Sequence, residues 1–336
     1  MNKKISIRDI AALAGVSVSS VSRILNKTGR YSKETEQKVL KIVEEYGYTA
    51  NMSAKSLRSA KTRTISLMVP DITNEFFSRI AYYCETFLHE KGYTLFICNT
   101  NNHPEKEETY LNDFVSKNVD GIIAISYLTN IPKSLENSRL PVVTLDRIAK
   151  GTHRIPYVIN DEYQAAFDAT ELLIRRGCRH IVALIPLENC NPDHPRLLGF
   201  LAARKEHLPG NSFHEPYFPI ELSDHSNDDS ERLVLELLES RKNLDGIFCG
   251  SDRIALGASR AVAQSGRRMP DDIKIIGFDN SLYSRLAVPP ISTIGRNSRT
   301  LSIKACEMLL ELIDHPGKII CPQMIPTRVI ERDSTG

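Results

Sequence analysis

Ser19, Ser22, Arg23 and Asn26 recur at the i, i+3, i+4, i+7 spacing that gathers side chains on one helix face, while Val21, Ile24 and Leu25 take the opposite side. That outer face is short, rich in hydroxyls and singly basic. Small side chains let a helix sit deep in the DNA major groove, hydroxyls reach phosphates and base edges, and a guanidinium can bond a guanine through two parallel hydrogen bonds. A small helical hairpin with a serine-rich solvent face is the competing reading of the same spacing. A second set of polar residues follows short apolar runs: "DITNEFF" (71–77), "TLDR" (144–147), "IND" (159–161), "HPR" (194–196), "GSD" (250–252) and "GFDN" (277–280). Hydrogen-bonding groups beside a phenylalanine pair suit a sugar, whose ring has apolar faces and a hydroxyl rim. Asp252 and Asp161, each before a helical pattern, fit helix caps as well.

Both sets need elements to hold them. In the N-terminal segment "SIRDIAALAG", Ser6 and Asp9 have capping-box spacing, and Ile7, Ile10, Leu13 and Ala14 are expected on one face before Gly15 stops the helix. Ser17 can cap a second helix only three residues later, so two short helices must meet at a tight angle, as in a helix-turn-helix. Ser32 caps a third, with Val39, Ile42, Val43 and Tyr46 apolar at helical spacing. From Thr64 the pattern changes to short apolar strands alternating with amphipathic helices, which predicts a parallel, doubly wound sheet. "TRTISLMVP" is answered by "CRHIVALIP" at 178–186 and "VDGIIAIS" by "LDGIFCGS" at 244–251, so two similar lobes are implied. Ligands of such sheets bind at the carboxyl ends of the strands, which puts the second polar set in a cleft between lobes.

The net charge of +2 conceals an uneven distribution. Residues 1–63 carry 13 Lys+Arg against 5 Asp+Glu, and the remaining 273 carry 30 against 36. A basic head on an acidic body points to a polyanion partner for the head alone. The seven cysteines are spaced too widely for C-x-x-C pairs and read as reduced core residues; the nine histidines offer no ligand pair, and neither metal nor cofactor is expected. An apolar run long enough to span a membrane is missing and the first ten residues lack a signal pattern, so a cytoplasmic protein is expected.

"ISIRDIAALAGVSVSSVSRILN", followed by "YSKETEQKVLKIVEEYGYTAN", resembles the headpiece of the LacI/GalR (lac repressor) family, and the resemblance extends through the terminal "PTRVIERDSTG". It implies an all-α helix-turn-helix headpiece over 1–49, a hinge over 50–63, and a two-lobed effector domain like a type I periplasmic sugar-binding protein. The first lobe would comprise 64–160 and 294–323, the second 161–293 and 324–336. By this resemblance Val18, Ser19 and Arg23 read bases, and Ser17, Ser20, Ser22, Asn26 and Ser32 contact phosphates. The segment beginning at Asn51 forms a hinge helix whose Leu57, beside Ala54, wedges into the minor groove; a bent, better-wrapped operator offsets the unstacking cost. Effector contacts fall on Asn74, Phe76, Phe77, Asp146, Arg147, Asp161, Arg196, Ser251 and Asp279, and "LDR" favours a small sugar. Four positions depart from the family pattern: Ala50 for proline, Lys55 for arginine, Glu75 for proline and Ser251 for asparagine. Losing the proline makes the hinge costlier to order.

The resulting expectation is a homodimeric repressor of a carbohydrate operon, bound to a palindromic operator and controlled by a sugar-like effector. With no leucine heptad after "RDSTG", a dimer is favoured over a tail-built tetramer. Alternatives are a regulator answering to a purine or a phosphoprotein and, further off, a sugar-acting enzyme. The phosphate-loop, dinucleotide and nucleophile-elbow motifs are missing, which counts against the enzyme. A transport binding protein shares the body but lacks the head.

Overall fold

The computed structural model describes residues 5–48, 61–129, 131–149, 155–187, 192–210, 216–221 and 226–336. Two compact units divide between Thr62 and Arg63.

The first unit is three helices, α1 (Ile7–Ala14), α2 (Val18–Leu25) and α3 (Lys33–Glu45). Ser6 and Asp9 make the capping box, and Gly15 closes α1 in the left-handed region with φ 68°. Ser17 and Ser32 cap α2 and α3 by accepting from the backbone N–H of Ser20 and Thr35. The core is Ile10, Ala11, Ala14, Val21, Ile24 and Val39, with Ile7, Leu25, Ile42 and Val43 packed at its edge. Two expected core residues lie outside: Leu13 is 47% exposed and Tyr46 51%. The 100° advance per residue explains the first, since positions 7, 10, 11 and 14 form the stripe and Ala11, not Leu13, falls within it. Tyr46 sits past the last turn of α3, and Tyr48 packs on the core in its place.

The second unit holds two six-stranded sheets, ordered β11-β5-β4-β3-β1-β2 and β12-β10-β9-β8-β6-β7. The first contains β1 (Thr64–Val69), β2 (Thr94–Asn99), β3 (Gly121–Ala124), β4 (Val142–Leu145), β5 (Tyr157–Asn160) and β11 (Gln323–Ile325). The second contains β6 (Ile181–Pro186), β7 (Tyr217–Ile220), β8 (Gly246–Cys249), β9 (Lys274–Phe278), β10 (Ser292–Gly295) and β12 (Arg328–Ile330). Every pairing is parallel except β10 with β12.

Helices cover both faces of each sheet, as buried apolar strands require. In lobe 1, α4 (Glu75–Glu90) and α12 (Ser298–Asp314) cover one face, α5 (Pro104–Ser116) and α6 (Lys133–Asn137) the other. In lobe 2, α9 (Ser226–Ser240) and α10 (Asp252–Gln264) cover one face and α7 (Glu162–Arg175) with α8 (Pro195–His207) the other. A short α11 (Leu282–Leu286) follows β9. Helices α7 and α8 touch backbone to backbone at Gly199, where a Cβ would lie 2.1 Å from the Tyr163 carbonyl oxygen. The chain crosses between lobes after Asn160, Gly295 and Ile325, the last two a little beyond the boundaries read from the sequence, because β10 and β11 each complete their own sheet first. Among the described cysteines, Cys84, Cys178, Cys249 and Cys306 are buried, but Cys321 is exposed between α12 and β11 of lobe 1, against the core expectation.

Candidate functional site

On the headpiece, Val18, Ser19, Arg23 and Asn26 are exposed along α2, Ser20 and Ser22 half-buried. The Arg23 guanidinium folds back toward the start of the helix, donating to the Ser19 carbonyl at 3.3 Å and the Ser20 hydroxyl at 3.4 Å. Gly29, with φ 77°, makes room for it, since a Cβ there would come within 3.2 Å of the Arg23 stem. Asn26 donates to the Ser22 carbonyl at 2.8 Å. Ser17 and Ser32 spend one lone pair each on capping, and Ser32 lies exposed at the start of α3. Asn51, Ala54 and Leu57 lie outside the described residues.

In the body, the strand ends of the two lobes face each other across a cleft. Eight of the expected contacts line its floor together: Asn74, Phe76, Phe77, Asp146, Arg147, Arg196, Ser251 and Asp279. Asp161 lies next to them in an outer chamber of about 670 Å³ that also reaches Tyr127, His194 and Met324. Several of them also cap helices. Asn74, Asp161 and Ser251 cap α4, α7 and α10 by accepting from the N–H of Phe76, Gln164 and Ile254. Asp252 is therefore not the cap of its helix. It is buried and accepts from the Ser281 N–H at 2.6 Å and the hydroxyls of Ser281 (2.9 Å) and Thr293 (2.6 Å), fixing β9 and β10 behind the cleft.

The centre of the cleft is held by a residue that the sequence did not single out. Arg296, the first residue past β10, stacks its guanidinium 3.6 Å from the centroid of Phe76. It pairs with Asp146 of lobe 1 and, at 3.2 Å, with Asp279 of lobe 2, while Glu162 lies 3.6 Å away. Arg196 stacks 3.9 Å from Phe278, donates to the Gly250 carbonyl at 2.6 Å and pairs with Glu162. Asp146 and Asp279 follow the fourth strand of their respective lobes, and both have positive φ, 69° and 103°, a conformation that L residues adopt at a cost. With two guanidiniums interposed, the cleft floor keeps only about 40 Å³ of free space.

Comparing the repeats would have revealed Arg296. It follows β10 as Asp161 follows β5, the last strand of the corresponding half. Glu162 reads as an ordinary acidic residue in a first helical turn, and nothing in the sequence separates it from others of that kind.

Burial shifts the charges in a definite direction. Asp279 is pushed up to about 8 by desolvation, with Asp252, Glu162 and Glu75 adding to the rise and Arg196 opposing it. Asp252 rises to about 6, mainly by desolvation against its hydrogen bonds, and desolvation lowers Arg296 to about 9, leaving it cationic at neutral pH. Desolvation lowers His194 from 6.5 to about 4, so it is neutral. A carboxyl raised on folding binds a proton that the unfolded chain has released, so its stabilisation fades as pH rises through the folded value. A depressed histidine acts on the other side, costing stability as pH falls below 6.5. We predict that the melting temperature of the body falls steadily between about pH 6 and pH 8.5 and that Asp279→Asn removes most of that slope. A flat wild-type profile in scanning calorimetry, or an equal slope in the variant, would contradict the assignment.

Among the described residues no helix is long and apolar enough to cross a membrane, and no group of three or more His, Cys, Asp or Glu could hold a metal ion. A family profile described as "Bacterial regulatory proteins, lacI family" matches residues 6–51, and one described as "Periplasmic binding protein-like domain" matches residues 170–335. The chain is 34% identical over 331 residues to the ribose operon repressor of Halalkalibacterium halodurans, covering 98% of this chain and 97% of that protein. It is 33% identical over 340 residues to the transcriptional repressor PurR of Aliivibrio fischeri, covering 98% of each. In fold it is similar to the crystal structure of the lac repressor dimer bound to operator and the anti-inducer ONPF, with a TM-score of 0.83 at 22% identity over 99% of both chains. A helix-turn-helix head and a two-lobed, parallel-sheet body, matched along nearly their whole length by repressors above 30% identity, place this chain in the LacI family of DNA-binding transcriptional repressors.

Proposed function

We propose that the protein represses by binding a palindromic operator as a homodimer and that a small sugar in the inter-lobe cleft sets its operator affinity. In this reading Val18, Ser19 and Arg23 face the bases, and Ser17, Ser20, Ser22, Asn26 and Ser32 approach phosphates. Asn51, Ala54 and Leu57 belong to a hinge spanning 50–63. Two copies are needed because one α2 offers too small a reading surface for specific binding. The protein acts in the cytoplasm, where the operator is.

The sugar reading is carried by one observation: Asp146 and Asp279, from opposite lobes, converge with Arg196 and Arg296 on a cleft floor that Phe76 also lines. Paired carboxylates and guanidiniums grip vicinal hydroxyls, and the ring accepts the apolar face of a sugar. A sugar entering the floor must displace Arg296, because about 40 Å³ holds little more than a water molecule. Effector and operator then couple only if the sugar binds the open and closed clefts unequally, and a tenfold change in operator affinity needs about 1.4 kcal/mol of that difference. The similarity to PurR supports a purine corepressor as the second reading.

A thermal-shift panel of pentoses, hexoses, sugar phosphates and purine bases separates the two. We expect a sugar to raise the melting temperature and Arg196→Lys and Asp279→Asn each to abolish the shift. A response to purines alone would overturn the sugar, and a sugar shift that survives both substitutions would overturn the cleft assignment.

A further inference from the structure

Glu75 stands at the first position of α4 in lobe 1, directly after the Asn74 cap. Its carboxylate reaches across the cleft rim into lobe 2, where Oε2 accepts the backbone N–H of Leu282 at 2.6 Å. Leu282 is the first residue of α11, and α11 has no side-chain cap of its own. The hydroxyl of Ser281, which would ordinarily supply one, donates to Asp252 instead. A free N–H at a helix start needs an acceptor, and here it comes from 207 positions away in sequence. The other carboxylate oxygen lies 3.8 Å from Arg285 of α11 and 3.7 Å from Arg79 of α4, so one acid joins cations of both lobes.

We infer that Glu75 is a positioning residue that caps α11 across the rim and thereby latches the cleft shut. Leu282 and Arg285 belong to one lobe and Glu75 to the other, so widening the cleft removes the cap and separates the ion pair together. The latch is at the rim, apart from the Arg296 cluster on the floor. It adds to the closed state whatever ligand the floor accepts. A proline at this position, as in the family pattern, has no acceptor in its side chain and could not make the contact.

Hydrogen exchange and small-angle scattering of the full chain, with no ligand added, test the inference. In Glu75→Ala the amides of 282–286 are expected to exchange about tenfold faster, the size of losing one hydrogen bond to a charged group, while those of α6 in lobe 1 stay as they were. Glu75→Gln, which keeps an acceptor, should lie between Glu75→Ala and the native chain, and Arg285→Ala should change exchange least. The radius of gyration should increase in Glu75→Ala. Unchanged exchange at 282–286, or acceleration spread evenly over both lobes, would overturn the cap. Local acceleration without expansion would overturn the latch.

Discussion

Replacing Arg296 with methionine is expected to destabilise the body by about 3–5 kcal/mol, the range seen when one partner of a buried ion pair is removed. For a unit of this size that corresponds to a melting temperature lower by roughly 6–20 °C. The arginine side chain is 4% exposed, and its partners Asp146 and Glu162 are 9% and 14% exposed, so neither carboxylate can turn to water for compensation. Methionine fills much of the same volume against Phe76, so the loss reports charge rather than a cavity. The control is Arg296→Met combined with Asp146→Asn, which removes the stranded charge and should recover part of the stability, a coupling expected of groups in direct contact. A single variant that melts within a degree of the native protein would show that the cluster carries no net stabilisation.

The second large effect concerns the head. Arg23→Ala is expected to cost about 1–3 kcal/mol of preference for the operator over random DNA, roughly 5- to 150-fold, while binding to random DNA changes little. The substitution should leave the headpiece folded. Arg23 is exposed and, among the described residues, its side chain bonds to Ser19 and Ser20 of its own helix, so it carries no part of the three-helix core. Gel-shift titrations with an operator selected from a random library, at one fixed salt concentration, measure the ratio directly. Equal preference in both proteins would remove Arg23 from the base-reading role.

The headpiece was legible because its signals are local: a serine three residues before an acid, a glycine after an apolar stripe, a second serine two residues on. Each depends on atoms within one helical turn, and Ser6, Gly15, Ser17 and Ser32 all take the places those signals indicate. Leu13 misled because hydrophobicity alone places it inward, whereas the helical angle turns it out. In the body, the strands and the polar residues that follow them were equally readable, and eight of the nine expected contacts meet on one cleft floor. What could not be read is the pairing across lobes. Nothing within ten residues of Arg296 indicates that it meets Asp146, 150 positions earlier, nor does the surrounding sequence mark Glu75 as a partner of Leu282. Asp252 shows the same limit, because its neighbours in sequence suggest a cap and its neighbours in space make it a brace for two strands.

The three crossings between lobes also bear on how the protein is made. Leu301, Ala305 and Leu309 of α12 belong to the core of lobe 1, and β11 closes the edge of its sheet. Lobe 2 in turn needs β12, and Ser334 ties its strands by donating to the Ile275 carbonyl and accepting from the Ser292 N–H. Neither lobe can therefore complete its core until the last forty or so residues have been synthesised, although the headpiece can fold from the first fifty. During translation the acidic body remains unfinished, with apolar strands uncovered, long after the basic head is ready. The two-lobed body therefore reaches its final packing only near the end of synthesis, well after the DNA-binding head.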